Sequence, residues 1–150
     1  MFLIGILLTI FTNTTDCSEM QSVRNQYHID KTSDELDNYI DYLEKINCNL
    51  AQPYLASSIM QKAKHSFMPT SKLKYFNSGK KMLEYFIEKN PDNIEAKYVR
   101  AMTQSEIPSF LGYNNAMKGD VDFIKKNIKS SDLPEDYQKI ILKNINSISK

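Results

Sequence analysis

At 150 residues, with charged side chains at 25% and apolar ones at 41%, the chain sits at ordinary globular values; this excludes a disordered or fibrous polymer and suits one domain with its own core. The formal charge of +1 exerts no net pull on a polyanion, and Arg24 and Arg100 are the only arginines, so nucleic acid is excluded as the expected partner. The two cysteines, Cys17 and Cys48, do not define a disulfide framework.

Residues 2–11, FLIGILLTIF, form an unbroken apolar run followed by small and polar residues. That length suits the core of a signal peptide and falls short of the roughly 20 residues a spanning helix needs. Residues 1–18 are therefore expected to be a signal-peptide-like segment and the chain to be exported, whether periplasmic, in the cell envelope or secreted. No lysine or arginine precedes the run, so only the amino terminus supplies positive charge. Lipidation of Cys17 is disfavoured, because Thr14, Thr15 and Asp16 precede it where a lipoprotein signal has a leucine-like residue and a small uncharged one. Membrane association is expected only if the segment is retained or Cys17 carries a lipid. A Cys17–Cys48 bridge is open to the chain if cleavage falls before Cys17, and Cys48 as a small buried side chain near a helix end is the favoured reading.

Residues 19–31 mix charges and amides, with only Met20, Val23, Tyr27 and Ile29 to bury, and read as a flexible linker. The folded domain is expected over 32–150. Thr32 and Glu35 are spaced as a capping box, and Leu36, Ile40, Leu43 and Ile46 follow at helical spacing opposite acidic residues. Pro53 fits the first turn of a second helix with Ala56, Met60, Ala63 and Phe67 on one stripe, and Pro69 ends it. Thr70 and Ser71 offer caps for a third helix, whose apolar face is Leu73, Phe76, Leu83, Phe86 and Ile87; Gly79 in its middle predicts a close helix–helix approach. Asn90-Pro91 stops that helix and Asp92 with Glu95 opens a fourth, carrying Ile94, Tyr98, Val99, Ala101 and Met102. Two more are predicted, over about 120–129 and 134–148. No segment alternates as a half-buried strand does, so the fold class is all-α, built as antiparallel helical hairpins of five or six helices.

The helix ending at Asn90, the turn Pro91-Asp92-Asn93 and the following Glu95, Ala96, Tyr98 and Ala101 resemble the junction between two tetratricopeptide repeats. That family prefers small residues where Gly79 and Ala101 stand, and Gly119-Asp120-Val121-Asp122 with Ile124 looks like the turn into a repeat's second helix. The resemblance spans about 73–128 and implies a short array whose concave face binds a protein or peptide, with Gly79 facing Ala101 or its neighbours. Lys97, Arg100 and Phe86 depart from the family's preferences, and the spacing from Pro91 to Gly119 exceeds the separation of those two turns in an ordinary repeat array by about eleven residues.

That extra length falls on residues 107–117, IPSFLGYNNAM, where Phe110, Leu111 and Tyr113 sit among turn formers as a recognition loop or a core plug. Arg100 could grip a partner carboxylate or pair with Glu84, Glu88 or Glu106. Candidate partner-binding residues are thus Arg100, Phe110, Leu111 and Tyr113. The helix-borne tyrosines read as core edges, and His28 and His65 as solvent-facing, with no metal-ligand spacing around them. No phosphate loop, nucleophile elbow or catalytic pair is visible, so no catalytic residue, metal or cofactor is assigned. The expected function is an exported protein- or peptide-binding module. The alternative is a small-molecule-binding helical protein or enzyme, its site formed by helical faces and the 107–117 loop.

Overall fold

The computed structural model describes residues 15–149; the apolar run at 2–11, with the signal-like reading attached to it, lies outside the described residues. Seven α-helices follow in order: α1 (Met20–Tyr27), α2 (Ser33–Lys45), α3 (Gln52–His65), α4 (Pro69–Lys89), α5 (Ile94–Glu106), α6 (Met117–Asn127) and α7 (Glu135–Ile148). Among the described residues there is no strand, and the fold is all-α with one helix more than the upper expectation.

The sequence signals act where they stand. The Thr32 hydroxyl accepts the Glu35 N–H while the Glu35 carboxylate accepts the Thr32 N–H, so two donors at the start of α2 are satisfied reciprocally. Leu36, Tyr39, Ile40 and Leu43 then bury one face. Pro53 sits in the first turn of α3, where its missing N–H is not needed. Pro69 is a correction: it opens α4 in the same way, while α3 ends earlier, at His65, leaving Phe67 outside its stripe and the expected caps Thr70 and Ser71 inside α4. At α5 the cap is Asn93, whose Oδ1 accepts the Ala96 N–H at 2.8 Å, in place of the expected Asp92 and Glu95 pairing. Glu95 points inward instead.

Helices α3 and α4 form a hairpin closed by residues 66–68 and pack along one another. Gly79 makes this approach: a Cβ built on it would overlap the Ala56 carbonyl oxygen and lie 2.6 Å from Met60 Cγ. The predicted close contact is real, but it faces α3 and not Ala101. Ala101 is fully buried elsewhere on α5, which packs against α3, α4, α6 and α7 and carries Ala96, Tyr98 and Val99 into the core.

The expected linker at 19–31 is a correction, since it holds α1. Met20 and Val23 are buried and the Tyr39 hydroxyl donates to the Val23 carbonyl at 2.9 Å. Arg24 enters the interior as well, its Nε and Nη2 each 2.9 Å from the two Glu95 oxygens. The Tyr54 hydroxyl donates to the same carboxylate at 2.6 Å and meets the Tyr137 hydroxyl at 2.8 Å, while the guanidinium lies over the Tyr137 ring. A tally of apolar side chains misses one tie of α1, a charge that meets its counter-charge 71 positions away.

Cys17 and Cys48 form a disulfide with Cα atoms 5.0 Å apart, which corrects the reading of Cys48 as a free buried side chain. Cys17 thus belongs to the folded unit, so a boundary at residue 18 cuts inside it. A bridged sulfur has no thiol left for a lipid.

Candidate functional site

The last turns of α3, the first turns of α4 and the end of α5 diverge enough to leave a cavity of about 480 Å³. Met60 and Ala63 form one wall, Leu73 and Phe76 the facing one, and Ile107 with Phe110 closes the end. The lining is almost wholly apolar, and the volume falls within the range of ligand sites, about 300–1,000 Å³. Among the described residues no helix is long and apolar enough to cross a membrane.

The rim is what distinguishes this cavity from a packing defect. Leu73 is 55% exposed, Phe110 85% and Leu111 40%, so large apolar side chains stand in water around an apolar opening. The adjoining α3–α4 connection adds Phe67 at 98% and Met68 at 62%. None of these five is held in place by burial in the core.

The floor is more polar. Tyr27 of α1 reaches it beside Ser57 and Thr103, whose hydroxyls share a 3.0 Å hydrogen bond. Burial pushes the Tyr27 phenol far above its ordinary value, so it stays a neutral hydroxyl. Edge-on contact with Tyr54 at 5.1 Å fixes its ring. At the mouth Lys64 pairs with Glu106 at 2.5 Å, and Lys72 is exposed. Among the described residues no three His, Cys, Asp or Glu side chains converge to hold a metal. Neutral hydroxyls and paired charges suit binding and provide no activated nucleophile or general base.

The predicted site residues part company. Phe110 and Leu111 form a short 3-10 turn with Ser109 that faces the groove. Gly112, at φ 63°, reverses the chain in the left-handed region that glycine enters freely. Tyr113 beyond it points inward, 3% exposed, donating to Glu84 and set edge-on to Phe76 at 5.9 Å. The loop is therefore surface at Phe110 and Leu111 and core at Tyr113. Arg100 is equally occupied: Nε and Nη2 reach the two Asp120 oxygens at 2.7 and 2.8 Å, and Nη1 reaches Glu84 at 2.7 Å. With every branch of its guanidinium held, it clamps α4, α5 and α6 together and offers no free fork to a partner. Gly119 lies inside α6 and not in a turn, because that helix begins at Met117.

Sequence reasoning placed Arg24 in a linker and did not single out Glu95, Tyr54 or Tyr137 as a group. The one signal for Arg24 was its position on the helical face of Met20, Val23 and Tyr27. His28, expected to face solvent, is exposed at its edge yet lays its ring 6.0 Å from those of Tyr98 and Tyr137. Burial, with Lys31 adding to it, holds its pKa below the usual 6.5. A second, more polar cleft of about 670 Å³ lies beside Arg24 and Glu95, walled by Asp92, Asn127 and Asp132. Compared with known proteins, the chain matches no family model, no curated protein and no solved structure.

Proposed function

We propose that this chain is an exported helical interaction module whose groove takes an apolar segment of a protein or peptide partner. The observation that carries the reading is the ring of exposed Leu73, Phe110 and Leu111 around one apolar opening. Large apolar side chains gathered at a concavity mark an interaction surface; covering the largely bare Phe110 contributes about 1.5–3 kcal/mol, and Leu73 and Leu111, already partly covered, contribute less. The Cys17–Cys48 bridge supports export, since disulfides persist in oxidising compartments. The packing of α5 on both α4 and α6 supports a tetratricopeptide-like arrangement for the segment about 73–128.

Affinity capture from the native host tests the groove. The parent is compared with a Leu73→Ser, Phe110→Ser, Leu111→Ser variant, whose melting temperature stays within a few degrees of the parent because these side chains are exposed. The variant should lose the captured partner. Equal capture by both proteins refutes the assignment. The hydroxyl floor and the cavity volume favour a second reading, a small apolar ligand with one polar atom; native mass spectrometry of host-purified protein would then show a bound mass that Met60→Phe displaces.

A further inference from the structure

Charge is distributed very unevenly along this chain. Between residues 52 and 83 there are six lysines, at 62, 64, 72, 74, 80 and 81, and no aspartate or glutamate, although the whole chain carries only +1. That stretch is the α3–α4 hairpin up to its fourth-helix core residues. Lys62 pairs with Asp37 of α2 at 2.6 Å and Lys64 with Glu106 of α5 at 2.5 Å. Lys72, Lys74 and Lys81 are exposed and have no carboxylate within ion-pair distance among the described residues.

At the tip of this cationic hairpin sit Phe67 and Met68, consecutive and 98% and 62% exposed, between the end of α3 and Pro69. Phe110 and Leu111 flank the same groove as Pro69 and Lys72, which sets a second apolar projection beside the first. Bulky apolar side chains at a loop tip, followed by the unpaired Lys72 and Lys74 in the first turns of α4, match the two attractions of an anionic bilayer. The apolar groups enter the headgroup and acyl boundary, and the lysine stems lie over them with their ammonium groups on phosphates. A neutral protein partner would meet the apolar tip equally well, but it gives no reason for a stretch emptied of carboxylates; an acidic protein is the alternative that protein-free vesicles separate.

We infer that the α3–α4 tip docks on an anionic phospholipid bilayer, with Phe67 and Met68 inserted and Lys72 and Lys74 on the lipid phosphates. Phe67, Met68 and Lys74 do not line the groove while Lys72 does, so the Phe67→Ser/Met68→Ser variant is the one that separates this inference from the groove reading.

The chain has no tryptophan, so Phe67→Trp creates a single reporter in the mature protein purified from its host. Its fluorescence should shift to the blue with vesicles of mixed phosphatidylglycerol and phosphatidylcholine and stay unchanged with phosphatidylcholine alone. Co-sedimentation gives the energetics. Lys72→Glu with Lys74→Glu should lower partition onto the anionic vesicles at least tenfold, as should Phe67→Ser with Met68→Ser, and added salt should weaken the parent. Circular dichroism checks that both variants keep the parent's melting temperature, as exposed positions allow. Three results overturn the inference: no blue shift, equal binding to neutral and anionic vesicles, or equal partition of parent and Phe67→Ser/Met68→Ser. The last assigns any binding to another part of the chain, and the first leaves the tip as a protein contact.

Discussion

Gly79→Ala sets two physical effects against each other, and the structure decides which wins. In an isolated helix the change favours folding by about 1 kcal/mol, because alanine loses less backbone freedom than glycine. Here the new methyl would overlap the carbonyl oxygen of Ala56 and sit 2.6 Å from Met60 Cγ and 3.0 Å from Met60 N. The methionine chain can swing aside, but the Ala56 oxygen and Met60 nitrogen are helix backbone, so α3 and α4 must separate. Overpacking of this kind costs about 1–3 kcal/mol. After the propensity gain the variant should still be destabilised by up to about 2 kcal/mol, lowering the melting temperature by up to about 8 °C for a chain of this size. Gly119→Ala is the matched control: it is helical, exposed, and has nothing within 4 Å of an added Cβ. That variant should hold or gain up to about 1 kcal/mol. Thermal unfolding followed by helical circular dichroism gives both values. If Gly79→Ala melts higher than the parent, as Gly119→Ala should, the close α3–α4 approach is refuted.

Replacing both Cys17 and Cys48 by serine opens a loop of 31 residues and should cost about 3–4 kcal/mol in urea unfolding through chain entropy; a change below about 1 kcal/mol would show that the bridge does not constrain the native chain. Arg24→Met should cost about 3–5 kcal/mol because it strands the Glu95 carboxylate in the interior, and Arg24→Met with Glu95→Leu should recover much of that; equal loss in both would mean the pair is not buried. Burial raises the phenols of Tyr39, Tyr54, Tyr113 and Tyr137 above the ordinary 10, and that of Tyr98 up to about 12. The folded state therefore holds phenolic protons that the unfolded chain releases near pH 10, so this stability is intact below pH 10 and lost as pH rises above it. Tyrosinate absorbance from these five phenols should appear only with the loss of helical signal, and ionisation of these groups near pH 10 with helices intact would contradict their burial.

The division of Phe110, Leu111 and Tyr113 shows how one loop serves both fold and surface. Gly112 reverses the chain between Leu111 and Tyr113, so the two apolar side chains before it line the groove while the aromatic after it docks on Phe76. Tyr113 and Arg100 meet at Glu84. Substituting either disturbs the clamp between α4, α5 and α6, so loss of binding in such a variant reports on packing and does not locate the partner surface.

Six of the seven helices were legible in the chain itself, because each announces its ends and its buried face within a few residues: the Thr32 and Glu35 capping box, Pro53 and Pro69 at first turns, and Asn90-Pro91 as a stop. These signals are local, and a helix needs only its own neighbours to form its hydrogen bonds, although Pro69, read as the end of one helix, opens the next. The candidate groove was half legible, since Phe110 and Leu111 stood out as apolar residues in an irregular segment while Leu73 read as core. What only the tertiary structure decided was pairing: Arg24 with Glu95, Cys17 with Cys48, Gly79 with Ala56 in place of Ala101, and Arg100 with Asp120. Periodicity states that a residue faces inward, but the identity of the atom it meets depends on how rigid helices settle against one another. Charge, bridge and close contact all turn on separations of a few ångströms between segments distant in the chain, and only the packed core sets those distances.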